Sequence, residues 1–274
     1  MTTWEFPCSE PASIAIREWA SGSVGVAGDA TDTITVEVTA SGFRGNAADL
    51  IDLVRVSFDD GRLTVTGPKS SGFLRKRSLD LSIKAPAGSD CDANTASADV
   101  ACVGELGTVS LRTASGDLTL ASASGPVSVH SASGDVFVDR ATSDVRASTT
   151  SGDVQVGRAG GEVQVNTASG DVSVGDCGGV VSARAVSGDV DIRKITGGQA
   201  EISTVSGDVR VCVVQGMGVY LDLSSTTGDV SSELDAAGDD TDDDTGDAPP
   251  EVSLELKIRT ISGDIKILKS PLAA

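Results

Sequence analysis

The chain has 274 residues, a formal net charge of −19 and only 3% aromatic residues. That charge argues against a nucleic-acid or anionic-membrane partner and favours solubility and a basic or cationic one. With 32 glycines and so few rings, a bulky core is excluded in favour of a slender Val/Ala/Leu interior.

Residues Met1 to Cys8 carry neither a basic n-region nor an apolar h-region, and no stretch is long enough to cross a bilayer. A cytoplasmic protein is therefore expected, with peripheral association at the envelope as the variant. Cys8, Cys91, Cys102, Cys177 and Cys212 make an odd count without metal-ligand spacing, and Cys102 and Cys177 fall on apolar positions. Free, mostly buried thiols are expected rather than disulfides or a zinc site.

From Ser13 to about Lys84 short alternating runs predict strands at 13–16, 23–26, 33–38, 54–58, 62–65 and 79–83, with turns at Asp59-Asp60-Gly61 and Gly67-Pro68. Four of the five Phe and both Trp lie in the first 75 residues. A repeat array must cover its ends, so residues 1–90 are expected to form irregular capping coils. The basic cluster at 70–77 is read as a solvated turn, with an anion-binding loop as the alternative.

Beyond Pro86-Ala87-Gly88 the chain becomes periodic. A Ser-Gly-Asp triplet stands at Ser115, Ser133, Ser151, Ser169 and Ser187, each 18 residues after the last. The pattern extends to Ser97-Ala98-Asp99 upstream and to the triplets beginning at Ser206, Thr227 and Ser262 downstream. After each triplet the third and fifth positions are aliphatic, as in Val136/Val138 and Val154/Val156, and a weaker half-repeat follows nine residues on. Each unit is two short strands and two turns, which bury an apolar face only when copies stack at about 4.8 Å. The predicted fold is all-β: a single-domain β-helix or β-solenoid over 1–274, with regular 18-residue coils at 91–232. A hairpin meander shares the alternation but does not demand so constant a register.

Glycine suits the corner and aspartate can bond turn N–H groups, so Asp117, Asp135, Asp153, Asp171, Asp189 and Asp208 are read as a structural ladder. Ser and Thr hydroxyls are the expected donors that relieve repulsion between stacked carboxylates. The alternative is a calcium ladder, but one Gly and one Asp per 18 residues fall short of the calcium-binding nonapeptide pattern. Neither a metal nor another cofactor is expected. Residues 233–250, with seven Asp between 235 and 250, are expected to be a disordered insertion, and 251–270 the final coil.

These residues resemble the bacterial DUF4097 family of adhesin-like proteins. An irregular strand-rich start leads to an apolar strand ending in a Pro-containing turn, Leu81-Ser82-Ile83-Lys84-Ala85-Pro86-Ala87-Gly88, and then to repeated T/S-x-S-G-D-V. The resemblance implies a β-helical fold and a non-enzymatic, adhesin-like role, and supplies no catalytic residues. Catalytic motifs are also missing from the residues themselves: His130 is the single histidine, and no nucleophile elbow or phosphate loop is present. A polysaccharide-active β-helix enzyme is thus the less favoured class. Two others remain: a binding module using a face near Phe137 and Arg210 to hold a protein or glycan, and a scaffold whose ends stack into homo-oligomers.

Overall fold

Apolar alternation becomes stacked parallel strands in the computed structural model, which describes residues 1–41, 48–68, 78–234 and 252–270. In the central array each coil contributes one strand to each of two faces. Strands Leu118–Ala123, Val136–Ala141, Val154–Ala159, Val172–Cys177 and Val190–Ile195 form one face. Strands Val109–Ser115, Val127–Ser133, Val145–Ser151, Val163–Ser169 and Val181–Ser187 form the other. Every neighbour on a face is parallel and in register, so Val136 pairs with Val154, Val154 with Val172 and Val172 with Val190. All four side chains are buried, and behind them Ala141, Ala159, Cys177 and Ile195 fill the interior toward the second corner. The β-solenoid is thus present, and parallel pairing between units replaces the hairpins of a meander.

At both ends the stacking order departs from the chain order. Strand Ser13–Asp29 is a complete coil lying directly on Asp90–Leu106, with Ser13 opposite Asp90 and Val24 opposite Val100. Its other edge pairs with Arg62–Thr66 on one face and Ser78–Pro86 on the other. Residues 13–29 therefore form a regular coil, and described strands that precede and follow it in the chain lie over its outer edge. Strand Thr33–Ser41 runs antiparallel to Ser78–Pro86, and Thr2–Pro7 antiparallel to Thr33–Ser41. Strand Arg55–Asp59 makes a hairpin with Arg62–Thr66 through Asp60 (φ 47°) and Gly61 (φ 73°), the two positive-φ residues a tight hairpin demands. Leu50 and Ile51 of the short helix Ala48–Ile51 are buried with the core, and Phe6 meets Phe58 at 5.4 Å between ring centres. Trp19 lies buried with its Nε1–H donating to the Leu79 carbonyl at 3.1 Å. The early aromatic residues thus close an end that would otherwise offer strand edges.

At the far end strand Val252–Ser262 pairs on one side with Gly198–Ser203 and on the other with Gly218–Thr227. Ile265–Ser270 lies likewise between Val209–Val214 and Val230–Ser232. The last coil in the chain is consequently the penultimate layer, and the outermost coil is made of residues 218–232. The N–H of Glu233 donates to the Ile267 carbonyl at 2.9 Å, so this coil continues past residue 232. The Asp-rich stretch 235–250 and the basic cluster 70–77 lie outside the described residues.

Candidate functional site

One edge of the stack is the corner formed by the triplets. Each Asp carboxylate accepts the backbone N–H of the Asp in the next layer: Asp99 from Asp117, Asp117 from Asp135, Asp135 from Asp153, and Asp153 from Asp171. Asp171 accepts from Asp189, and Asp189 from Asp208, each at 2.8 Å. The series then passes from Asp208 to Asp264 and from Asp264 to Asp229, following the spatial order of the coils and not the chain order. The donor is a peptide N–H, as expected for a corner Asp, but it belongs to the next layer, and it takes the place of the Ser and Thr hydroxyls expected between stacked carboxylates. A backbone donor recurs in every layer whatever the neighbouring side chains, and a charged acceptor strengthens the bond. Among the described residues no three His, Cys, Asp or Glu side chains are grouped to hold a metal ion.

The triplet glycine is required for two reasons. Gly152 has φ 144°, and a β-carbon on it would stand 2.3 Å from the carbonyl oxygen of Gly134 in the layer below. The corners approach too closely for any side chain.

The thiols of Cys91, Cys177 and Cys212 are not poised as nucleophiles. The Cys91 thiol is held well above its usual pKa by its contact with the Cys102 thiol and by burial, and burial raises Cys177 and Cys212 as well. All five cysteines are free. His130 is exposed, its Nε2 is 3.5 Å from Ser128 Oγ, and among the described residues no carboxylate orients it.

The second candidate is a groove of about 490 Å³ on the face built from Val136–Ala141 and its stacked copies. Between inward Val138 and Ala141 two consecutive residues, Asp139 and Arg140, stay outside, and the irregularity repeats in the stacked strands from Leu118–Ala123 to Val190–Ile195. One resulting row reads Arg140, Arg158, Asp176, Lys194 in register; the row beside it reads Asp139, Gly157, Gly175, Arg193. The two glycines leave the floor as bare backbone, and Phe137, 37% exposed, stands at one edge. Arg158 Nη2 lies 3.4 Å and Lys194 Nζ 3.9 Å from the Asp176 carboxylate, while Arg193 reaches Ser173 Oγ at 3.5 Å. Among the described residues the Arg140 guanidinium has no partner. A second hollow of about 380 Å³ flanks the same Arg140–Lys194 row on its other side. The lining of the first groove carries four cations against two carboxylates, in a chain whose net charge is −19.

Phe137 and Arg210, named from sequence on one binding face, share one outward row through Gln155, Ser173 and Asp191. They are four layers apart, about 19 Å at strand spacing, so Arg210 is not part of the groove. Sequence reasoning passed over its cations, although the 18-residue period contains them: Arg140, Arg158 and Lys194 occupy the seventh position after the triplet serine. The signal was available in a column that looked like ordinary solvated polarity.

Residues 14–268 match the sequence profile of Toastrack DUF4097, and the chain belongs to that family. No curated protein matches it. Among solved structures, the crystal structure of a putative adhesin from Bacteroides fragilis is 15% identical with a TM-score of 0.50, over 97% of this chain and 96% of that one. A putative lipid binding protein from Parabacteroides distasonis is also 15% identical, with a TM-score of 0.45 over 97% of this chain and 96% of its own. At such identity the first likeness establishes the shared fold. The names of these neighbours describe adhesion or lipid binding and not an enzyme activity.

Proposed function

We propose that this chain is a non-enzymatic, adhesin-like scaffold that presents a solenoid face to a protein or glycan partner. The observation that carries this reading is the glycine-floored groove with Phe137, Arg140 and Arg158 at its margin, held on strands whose inward residues are buried core. A parallel sheet fixes the spacing of the backbone positions that carry these side chains, so no backbone ordering is needed on binding. The exposed His130 without an orienting carboxylate among the described residues, and the raised thiols of Cys91, Cys177 and Cys212, support binding over turnover. The decisive measurement is a panel of immobilised polysaccharides and proteins probed with the whole chain, each soluble ligand also being checked for cleavage products. Retention without turnover is expected; turnover, or retention on no panel member, would refute the scaffold reading.

A second reading, end-to-end self-assembly, rests on the outermost coil. Among the described residues, Gly218–Thr227 pairs on one side only, and Tyr220 and Val230 beside it are 53% and 47% exposed. Such an edge is a template for another strand. Sedimentation across a hundredfold concentration range tests it, and a monomer throughout would exclude it.

A further inference from the structure

We infer that the groove between Phe137 and Lys194 binds a linear acidic polysaccharide, with its carboxylate-bearing sugar units lying along the stacking axis. This inference rests on the scaffold reading and names the class of partner. Four features of the groove point to that ligand and to no simpler anion.

The cations are arranged in line. Arg140, Arg158 and Lys194 lie in one in-register row, with Asp176 between the last two, and Arg193 stands in the adjoining row. Successive layers are about 4.8 Å apart, close to the length of one pyranose ring, so a chain laid along the row meets a new side chain with each sugar. Guanidinium groups take carboxylates in a bidentate fork, and the unpartnered Arg140 has that fork free.

Carboxylates are interleaved with the cations. Asp139 and Asp176 both line the groove, and they would repel a ligand carrying only anionic oxygens, such as a polyphosphate. A uronate chain offers hydroxyl donors to these two acceptors and carboxylates to the cations, so both signs are used. Phe137 adds an exposed ring against which the C–H face of a sugar packs. Finally, Gly157 and Gly175 remove side chains from the floor beneath the row, and a chain can therefore lie against backbone over two consecutive layers.

The net charge of −19 does not forbid an anionic ligand here. The corner aspartates lie five residues along the strand from the Arg140 row, roughly 16 Å, about twice the Debye length at physiological salt. At the nearer corner the Asp144 carboxylate already accepts the Glu162 N–H at 2.9 Å. The field within the groove is consequently set by its own lining more than by the whole molecule.

The test measures binding of polygalacturonate oligosaccharides to the full chain by calorimetry, beside neutral dextran oligosaccharides, a 30-mer duplex DNA and phosphatidylserine vesicles. Saturable binding to polygalacturonate that weakens with salt is expected, at least about tenfold stronger than to the other three. The double variant Arg140→Glu with Arg158→Glu should lose at least about tenfold in affinity while melting as the parent does. Arg146→Glu with Arg184→Glu makes the same change in charge on the opposite face and should stay within about twofold. Undiminished affinity in the groove variant overturns the site. Equal binding to DNA or vesicles overturns the ligand class in favour of unselective polyanion attraction. Binding of dextran or a panel protein but not polygalacturonate overturns the inference alone, whereas release of new reducing ends overturns the scaffold reading beneath it.

Discussion

The Oδ1 of Asp153 accepts the backbone N–H of Asp171 at 2.8 Å, although the two residues are 18 apart in sequence. One layer's carboxylate holds the next layer's corner, and the relation recurs along the array. Asp153→Ala should therefore cost about 1 kcal/mol, whereas Asp153→Asn, which keeps a carbonyl acceptor, should cost less. A chelator should leave the melting temperature of the parent unchanged. A drop of many degrees on chelation would mean that a cation, and not the peptide N–H, holds the ladder.

Gly152→Ala places a β-carbon 2.3 Å from the Gly134 carbonyl at φ 144°. Gly216 also has positive φ, 87°, but nothing lies within 4 Å of its β-carbon position. Gly216→Ala should cost about 1 kcal/mol from backbone strain alone, and Gly152→Ala clearly more. Chemical denaturation of the two variants measures the difference; equal costs would show that the corners separate freely.

Val154 is 1% exposed and stacked between Val136 and Val172. Val154→Asp should abolish cooperative melting, because an unpaired charge in so narrow an interior has no room to reach water. Near-native melting of this variant would contradict the interior column.

The hydroxyls of Thr113, Ser131, Thr149 and Thr167 are buried without a hydrogen-bond partner and lie in one column. Thr149→Val replaces the unpaired hydroxyl by a methyl group of similar shape. It should stabilise the fold by about 1 kcal/mol, read as a raised melting temperature. A lowered one would show that the column is hydrogen-bonded in solution.

Asp92 joins the first regular layers, since Arg17 bonds its carboxylate and Arg112 lies 3.9 Å away. The Arg17 bond lowers its pKa against the opposing effect of burial. A depressed carboxylate contributes stability above its ordinary titration range and loses it as pH falls through the lowered value. Asp92→Asn should accordingly melt below the parent at neutral pH, with the gap closing on acidification. Because the side chain is 38% exposed, solvent screening keeps the effect small. A gap that widens on acidification would contradict this.

The 18-residue spacing of the triplets and the Val/Val alternation after them were enough to determine the solenoid, its coil length and the inward column of Val136, Val154, Val172 and Val190. A period in side-chain chemistry becomes a period in space when each unit packs only on its neighbours. Tertiary structure alone decided the order of layers at the two ends, where Ser13–Asp29 and Val252–Ser262 are inserted between segments distant in the chain. Parallel strands of similar apolar pattern can pair in several orders, and only the fit of whole faces selects among them. That the corner Asp bonds a backbone N–H could be read from turn chemistry, but that the N–H belongs to the next layer could not, since it depends on the stacking. The groove lay between these extremes. Its cations stand at a repeat position that could be read directly, but two consecutive outward residues such as Asp139 and Arg140 break the alternation, and only the folded strand brings their rows side by side over the bare backbone of Gly157 and Gly175.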